Sequence, residues 1–224
     1  MLVVISATFF MVHAAPGGPF DDDRVASPEI IKQLNETYNL NDPLISQLGN
    51  YLLNALQGDF GPSYKYPGRT VSELIASGLP ITAELAFYSV LFALLLGILS
   101  GIIASLNPGK FLDHFPMSVS MIGICVPSII LGPVLILTFG IWFEILPVSG
   151  WGEFPGDKVL PTITLGSAYA AIFARLTRGG MLEILAQDFI RTARAKGLNE
   201  TRVVLYHALR GGIMPTVGLS LIHI

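Results

Sequence analysis

Residues Leu85–Leu106 read LAFYSVLFALLLGILSGIIASL, 22 residues without one charged side chain. A helix needs about 20 apolar residues to cross the roughly 30 Å hydrocarbon core of a bilayer. This stretch is therefore long enough to form a transmembrane helix. It predicts a chain that folds within a membrane rather than around a soluble core.

Three more segments share this character. Residues 116–143 are uncharged for 28 positions, and residues 159–174 for 16 positions with several hydroxyl side chains among them. Another apolar run begins at Gly211. We expect transmembrane spans at about 81–106, 116–143, 159–178 and, cut off by the chain end, 211–224. The fold class is then an all-α, polytopic transmembrane bundle.

Composition supports the same class and excludes others. The 224 residues are 52% hydrophobic and 13% charged, whereas soluble domains average about 25% charged residues. A net charge of −3 gives no reason to expect a nucleic-acid partner. One cysteine, Cys125, cannot form a disulfide framework or a zinc site and is expected to be a small core residue. No catalytic, cofactor or metal site is predicted.

The first 15 residues are apolar and have two interpretations. They can be a secretory signal peptide that lacks its basic start, with a small-residue cleavage site near Ala15. They can equally be the outer end of a transmembrane helix whose cytoplasmic start is missing. This segment alone does not separate the two.

Charge distribution predicts the orientation. If the residues after the first segment lie outside, stretches 106–115 and 175–210 lie in the cytoplasm and hold eight of the 13 Lys and Arg residues with four acidic ones. The outside stretches, 16–79 and 144–158, hold five basic and eleven acidic residues. An excess of basic residues in short loops marks the cytoplasmic side.

Residues 16–79 carry the start and stop signals of a small helical cap. Ser27-Pro28 and Asp42-Pro43 each precede apolar residues at helical spacing, and Gly58 follows the second set. Residues 70–77 then predict a short helix that leads into the membrane. We expect this segment to form an extracytoplasmic cap.

Within the 81–106 span, four small residues recur every fourth position: Ala93, Gly97, Gly101 and Ser105. Gly97 and Gly101 form a GxxxG pair, which lets another helix approach closely. Chance spacing in a glycine-rich span is the alternative.

Two prolines, Pro127 and Pro133, lie inside the 116–143 span and predict kinks. A kinked membrane helix needs neighbours or water to satisfy the freed carbonyls. The prediction is a helix within a bundle, beside a pathway.

Residues 188–200 predict a short cytoplasmic helix and a turn. Asp188 is expected to cap the helix, Gly197 to end it in the left-handed conformation, and Asn199 to cap the next helix, 200–210. The apolar side chains of Phe189, Ile190 and Ala193 would need a membrane surface or a partner's groove, while Arg191 and Arg194 form a cationic side. A basic connector without further function is the alternative.

The run Phe189–Leu198, FIRTARAKGL, resembles the EAA loop of binding-protein-dependent ABC importer permeases, in the form found in their peptide and nickel branch. Arg191 stands at the glutamate position of the general motif, Thr192 and Ala193 at its alanines, and Gly197 at its glycine. The arginine departs from the general motif but is usual in this branch. Other matches follow in order along the chain, at 15–17, 40–43, 58–63, 160–161 and 175–179.

The resemblance implies a type I ABC importer permease with six spans and a cytoplasmic N-terminus, of which this chain is an incomplete part in the bacterial inner membrane. It makes residues 1–15 the truncated first transmembrane helix. It implies a second homologous permease, two cytoplasmic ATPase subunits and an extracytoplasmic peptide-binding protein as partners. It places ATPase coupling at Arg191, Thr192, Ala193, Arg194, Ala195 and Gly197, with ATP used by the partners only. The Gly61-Pro62-Ser63 variant of the outer loop favours oligopeptides over dipeptides, nickel or another small solute.

Two other classes fit less well. An intramembrane enzyme needs acid–base or nucleophile–base groups at membrane depth, and a secondary transporter usually carries an ionisable group there. The predicted spans hold no Asp, Glu or Lys apart from Glu84, near an outer end. Nor does the chain contain the G-x-x-x-x-G-K-[ST] loop of an ATPase.

Overall fold

A computed structural model of the chain describes residues 2–14, 42–63, 66 and 68–223. The described residues are helical apart from connecting loops, the longest at 143–158, and one isolated antiparallel bridge, Pro62 to Thr70. The chain divides into two compact units, 1–80 and 81–224. The Ser27-Pro28 helix start and the matches at 15–17 and 40–41 lie outside the described residues.

The first unit contains α1 (Leu2–Ala14) and α2 (Leu44–Leu56). Helix α2 follows an extended Pro43, and the chain leaves it through Gly58 at a φ of +80°. Glycine adopts this left-handed conformation without strain, which explains why the helix ends at the predicted place. Thr70 and Glu73 then form a capping box, in which each side chain accepts a hydrogen bond from the other's backbone N–H.

This capping box starts α3 (Val71–Leu106), a helix of 36 residues. The short helix predicted over 70–77 and the residues of the span predicted from 81 belong to this one continuous helix. Pro80 lies inside the helix, where it removes one backbone hydrogen bond without ending the helix. At 1.5 Å per residue the helix is about 54 Å long, more than the hydrocarbon core requires.

The predicted 116–143 span is not one kinked helix. The first arm is helix α4 (Phe111–Cys125). The second arm is α5 (Ser128–Leu135) with its π-helical continuation Ile136–Trp142. The chain bends by 108° between the two arms. The break lies at Val126, which is extended because a residue before proline avoids the helical conformation. Pro133, by contrast, lies inside α5 and does not break it.

Helix α6 (Val159–Leu185) runs seven residues beyond the predicted end of its span. After it come α7 (Asp188–Ala195), α8 (Glu200–Arg202), a π-helical segment Val203–Ala208, α9 (Leu209–Gly212) and α10 (Met214–His223). In the described part of the chain, α3 and α6 are long and apolar enough to cross a membrane, and the bent pair adds a third crossing if it counts as one span.

Helices α3 and α6 pack closely through small residues. A Cβ placed on Gly97 would lie 2.6 Å from the Cβ of Phe173, and one placed on Gly101 would lie 2.6 Å from the Cβ of Thr177. On the other helix, a Cβ at Gly166 would lie 2.6 Å from the carbonyl oxygen of Ser89. Side chains at these three positions would therefore push the two helices apart.

Cys125 is exposed, not buried as expected. It is the last residue of α4 before the break, and it lines a groove with Met117 and Met121 of the same helix. The position at a bend leaves the thiol without a covering helix among the described residues.

Replacing Gly101 by alanine should destabilise this bundle by about 1–3 kcal/mol, the usual cost of overpacking. Thermal unfolding in detergent measures the effect. Gly78→Ala is the matched control, because Gly78 lies in the same helix and an added Cβ there meets nothing within 4 Å. Equal unfolding midpoints for the two variants would show that the contact is not close.

The orientation can be tested at two exposed positions. With Cys125 replaced by serine, a cysteine at Ser46 should react with an impermeant maleimide in intact cells, whereas one at Thr201 should react only after permeabilisation. Ser63, in the predicted outer loop, is not suitable as a labelling position because it is only 8% exposed. The reverse pattern of labelling would invert the topology inferred from charge.

Candidate functional site

Helix α7 begins directly after an extended Gln187, so Asp188 is its first helical residue and not its cap. The Asp188 carboxylate instead accepts a hydrogen bond from Arg191 at 3.2 Å, with both side chains largely exposed. An acidic residue in the first turn still stabilises the helix through its dipole.

The turn after α7 is a Schellman motif. Gly197, at a φ of +80°, donates its N–H to the carbonyl of Arg194, and Leu198 donates to the carbonyl of Ala193. The Asn199 side chain then accepts a hydrogen bond of 2.9 Å from the N–H of Arg202 and caps α8. The 188–200 segment is thus a helix, a left-handed turn and a second capped helix.

One face of α7 is covered by the chain itself. Ile190 is fully buried and Ala193 is 6% exposed. They belong to an apolar cluster that α6 and the segment after α8 complete, with members Met181, Ile190, Ala193, Val203, Val204 and Ala208. For Ile190 and Ala193 the expectation of a membrane or partner contact is therefore wrong, because the returning chain folds over them.

Phe189 does not share that face and is 49% exposed. Arg191, Thr192 and Ala195 are exposed as well. Together these four side chains form the outer face of α7.

Arg194 is bound within the chain. Its Nε and Nη2 atoms donate to the two carboxylate oxygens of Glu200 at 2.7 and 3.2 Å. The hydrogen bond from Arg194 holds the pKa of Glu200 below its ordinary value. The pair joins α7 to α8 across the Gly197 turn, and Arg194 also borders the outer face of α7.

Helix α6 anchors this loop through residues that sequence reasoning did not select. Met181 is fully buried in the cluster, and the carbonyl of Gly212 lies against Gly180. Thr177 hydrogen bonds to Thr216 of α10 at 2.9 Å, and both residues are completely buried. A buried hydroxyl has to find a hydrogen-bond partner, but no signal in the sequence indicated which residue that partner would be.

Glu84, the one acidic residue in the predicted spans, is also bound. Its carboxylate accepts a hydrogen bond from Trp151 at 3.1 Å and forms an ion pair with Lys158. Among the described residues, no group of three or more His, Cys, Asp and Glu side chains could hold a metal ion. The outer face of α7 is an exposed surface on a helix whose other face is buried in the chain's own apolar cluster.

Comparisons with known proteins agree with this organisation. The sequence profile of the family described as binding-protein-dependent transport system inner membrane component matches residues 93–224. The chain is 42% identical over 218 residues to the oligopeptide transport system permease protein OppB of Haemophilus influenzae, covering 97% of this chain and 71% of that protein. It is 40% identical to the Escherichia coli K12 protein of the same name, with the same coverage.

A third relative carries a different name. The dipeptide transport system permease protein DppB of Bacillus subtilis is 39% identical over 217 residues, which are 97% of this chain and 70% of that protein. A profile match over more than half of the chain and identities near 40% over almost all of it establish common descent. The chain belongs to the binding-protein-dependent transport system inner membrane components, the membrane-spanning permeases of ABC importers.

Proposed function

We propose that the chain forms half of the translocation pathway of an ATP-driven importer of oligopeptides. The names of its relatives support peptide transport, because two of them are oligopeptide permeases. The Gly61-Pro62-Ser63 loop favours the oligopeptide members of the branch. The dipeptide permease of Bacillus subtilis makes a dipeptide importer the second candidate.

Helix α7 couples the permease to a separate ATPase in this proposal. The observation that carries it is the two-sided environment of α7, with Ile190 and Ala193 buried in the chain's own cluster while Phe189 and Arg191 remain exposed. A partner's groove can bind the exposed aromatic and cationic side without disturbing the buried one. Arg191, Thr192 and Ala195 are then contact residues, and Ala193, Arg194 and Gly197 position them.

The proposed assembly contains a second homologous permease, two cytoplasmic ATPase subunits and an extracytoplasmic binding protein that rests on the cap predicted for residues 16–79. ATP binds to the ATPase subunits and not to this chain. Their closure moves two α7 helices, and the bend at Val126 and Pro127 lets the pathway switch sides. Gly97 and Gly101 hold α3 on α6 during this movement.

Gly197→Val tests the coupling proposal. Valine in the left-handed conformation costs about 1–2 kcal/mol or more, and it would displace the outer face of α7. In the full-length permease we expect normal membrane insertion and pairing with the second permease, but loss of the ATPase subunits from an affinity-tagged complex and loss of oligopeptide uptake.

Gly197→Asn is the control for this substitution, because asparagine tolerates the left-handed conformation. It should keep most of the ATPase binding and the uptake. Unchanged ATPase retention and uptake in the valine variant would mean that the loop is only a basic connector.

A further inference from the structure

The turn between α3 and α4 brings a buried carboxylate against an arginine of α6. Asp113 lies in the first turn of α4, and its side chain is 3% exposed. Its two oxygens accept hydrogen bonds of 2.6 and 2.8 Å from Nε and Nη2 of Arg178. The N–H of Gly109, a residue with φ of +73°, donates a third bond of 2.9 Å.

This arrangement fixes both distance and angle. A two-bond contact between guanidinium and carboxylate has one planar geometry, unlike the point contact of a lysine. A buried carboxylate without its partner is also strongly unfavourable. The first turn of α4 therefore cannot slide or rotate freely relative to α6.

Arg178 lies in the turn of α6 that also carries the contacts of α6 with α3, α7 and α10. The adjacent Thr177 packs against Gly101 of α3 and hydrogen bonds to Thr216 of α10. Met181, three residues on, is buried in the cluster that holds α7. This turn therefore lies between the cluster that holds α7 and the contacts of α6 with α3 and α4.

From Asp113, α4 runs to the break at Val126. A groove of about 570 Å³ beside α4 is lined by Asp113 and Arg178 as well as by Cys125 and Val126. The ion pair and the bend therefore lie near the two ends of one helix, which continues through Pro116.

We propose that Asp113 and Arg178 are a positioning pair that makes α4 move with α6, so that a displacement of α7 changes the bend at Val126 and Pro127. The inference rests on the proposed function, since the displacement comes from the ATPase subunits. In this proposal, two residues outside the 188–200 loop transfer the displacement of α7 to the helices of the membrane bundle.

Cys125 is the reporter for the test, because it is exposed and lies beside the bend. The full-length permease is assembled with its partner subunits in proteoliposomes, with all other cysteines replaced by serine. The rate of N-ethylmaleimide labelling is measured in the resting complex and in the complex trapped with ATP and vanadate. The rate should differ between these states in the parent complex.

Asp113→Asn keeps the side-chain shape and an acceptor for Gly109 but removes the charge. We expect this variant to retain its ATPase subunits but to lose the nucleotide-dependent change in Cys125 labelling. Its oligopeptide uptake should fall about tenfold, which is the effect expected when a coupling contact is removed. Glu84→Gln is the matched control, because it also replaces a carboxylate by an amide and removes an ion pair, the one with Lys158. The nucleotide-dependent change in Cys125 labelling should be preserved in this variant.

Several results would overturn the proposal. Equal labelling rates in both states of the parent complex would do so, as would an unchanged labelling response and uptake in Asp113→Asn. If Asp113→Asn loses its ATPase subunits, the same labelling experiment is done with Arg178→Lys. Lysine keeps the positive charge but cannot form the two-bond contact with Asp113. A weakened labelling response in that variant with the subunits retained supports the proposal, whereas a normal response or loss of the subunits contradicts it.

The two proposals fail in different ways. If coupling does not occur at α7, the Gly197→Val variant keeps its ATPase subunits, whether or not Asp113→Asn behaves as the parent does. If only the positioning role is wrong, Gly197→Val still loses them while Asp113→Asn behaves as the parent does.

Discussion

The close approach of helices to α6 is the constraint on which the rest of this structure depends. In a bilayer the hydrophobic effect does not drive apolar helices together, so packing contacts between backbones have to do so. Gly97, Gly101 and Gly166 permit this contact between α3 and α6, and Gly123 of α4 lies against the backbone of Ser167. Near the end of α6, Gly180 and Gly212 provide the same kind of contact for α9.

Polar contacts add direction to this packing. Small residues allow helices to approach, but they do not prevent sliding. The Thr177–Thr216 hydrogen bond and the Asp113–Arg178 ion pair hold α10 and α4 at defined positions along α6. Because Met181 in the next turn supports the buried face of α7, the C-terminal half of α6 connects α7 with α3, α4 and α10. Such a connection suits a permease whose free energy comes from a subunit outside the membrane.

Local chemistry explains what could be predicted from the sequence. The turn at Gly197 and the cap at Asn199 depend on single residues and their neighbours, and they were predicted correctly. The 108° bend, the burial of Ile190 and Ala193 and the partner of Arg178 depend on residues distant in sequence. Proline patterns indicated that the chain would deviate near Pro127, but not by how much, since neighbouring helices determine the angle.

The contact between α7 and an ATPase is the central claim, and site-specific photo-crosslinking tests it most directly. A photoreactive benzoylphenylalanine at Phe189 preserves an aromatic ring at a position that is 49% exposed. In the assembled full-length complex it should form a crosslinked product that contains the ATPase subunit, while the same residue at Ile45 of α2, 79% exposed, should not. A complex that retains its ATPase subunits but gives no such product at Phe189, or gives it at Ile45, would contradict the account.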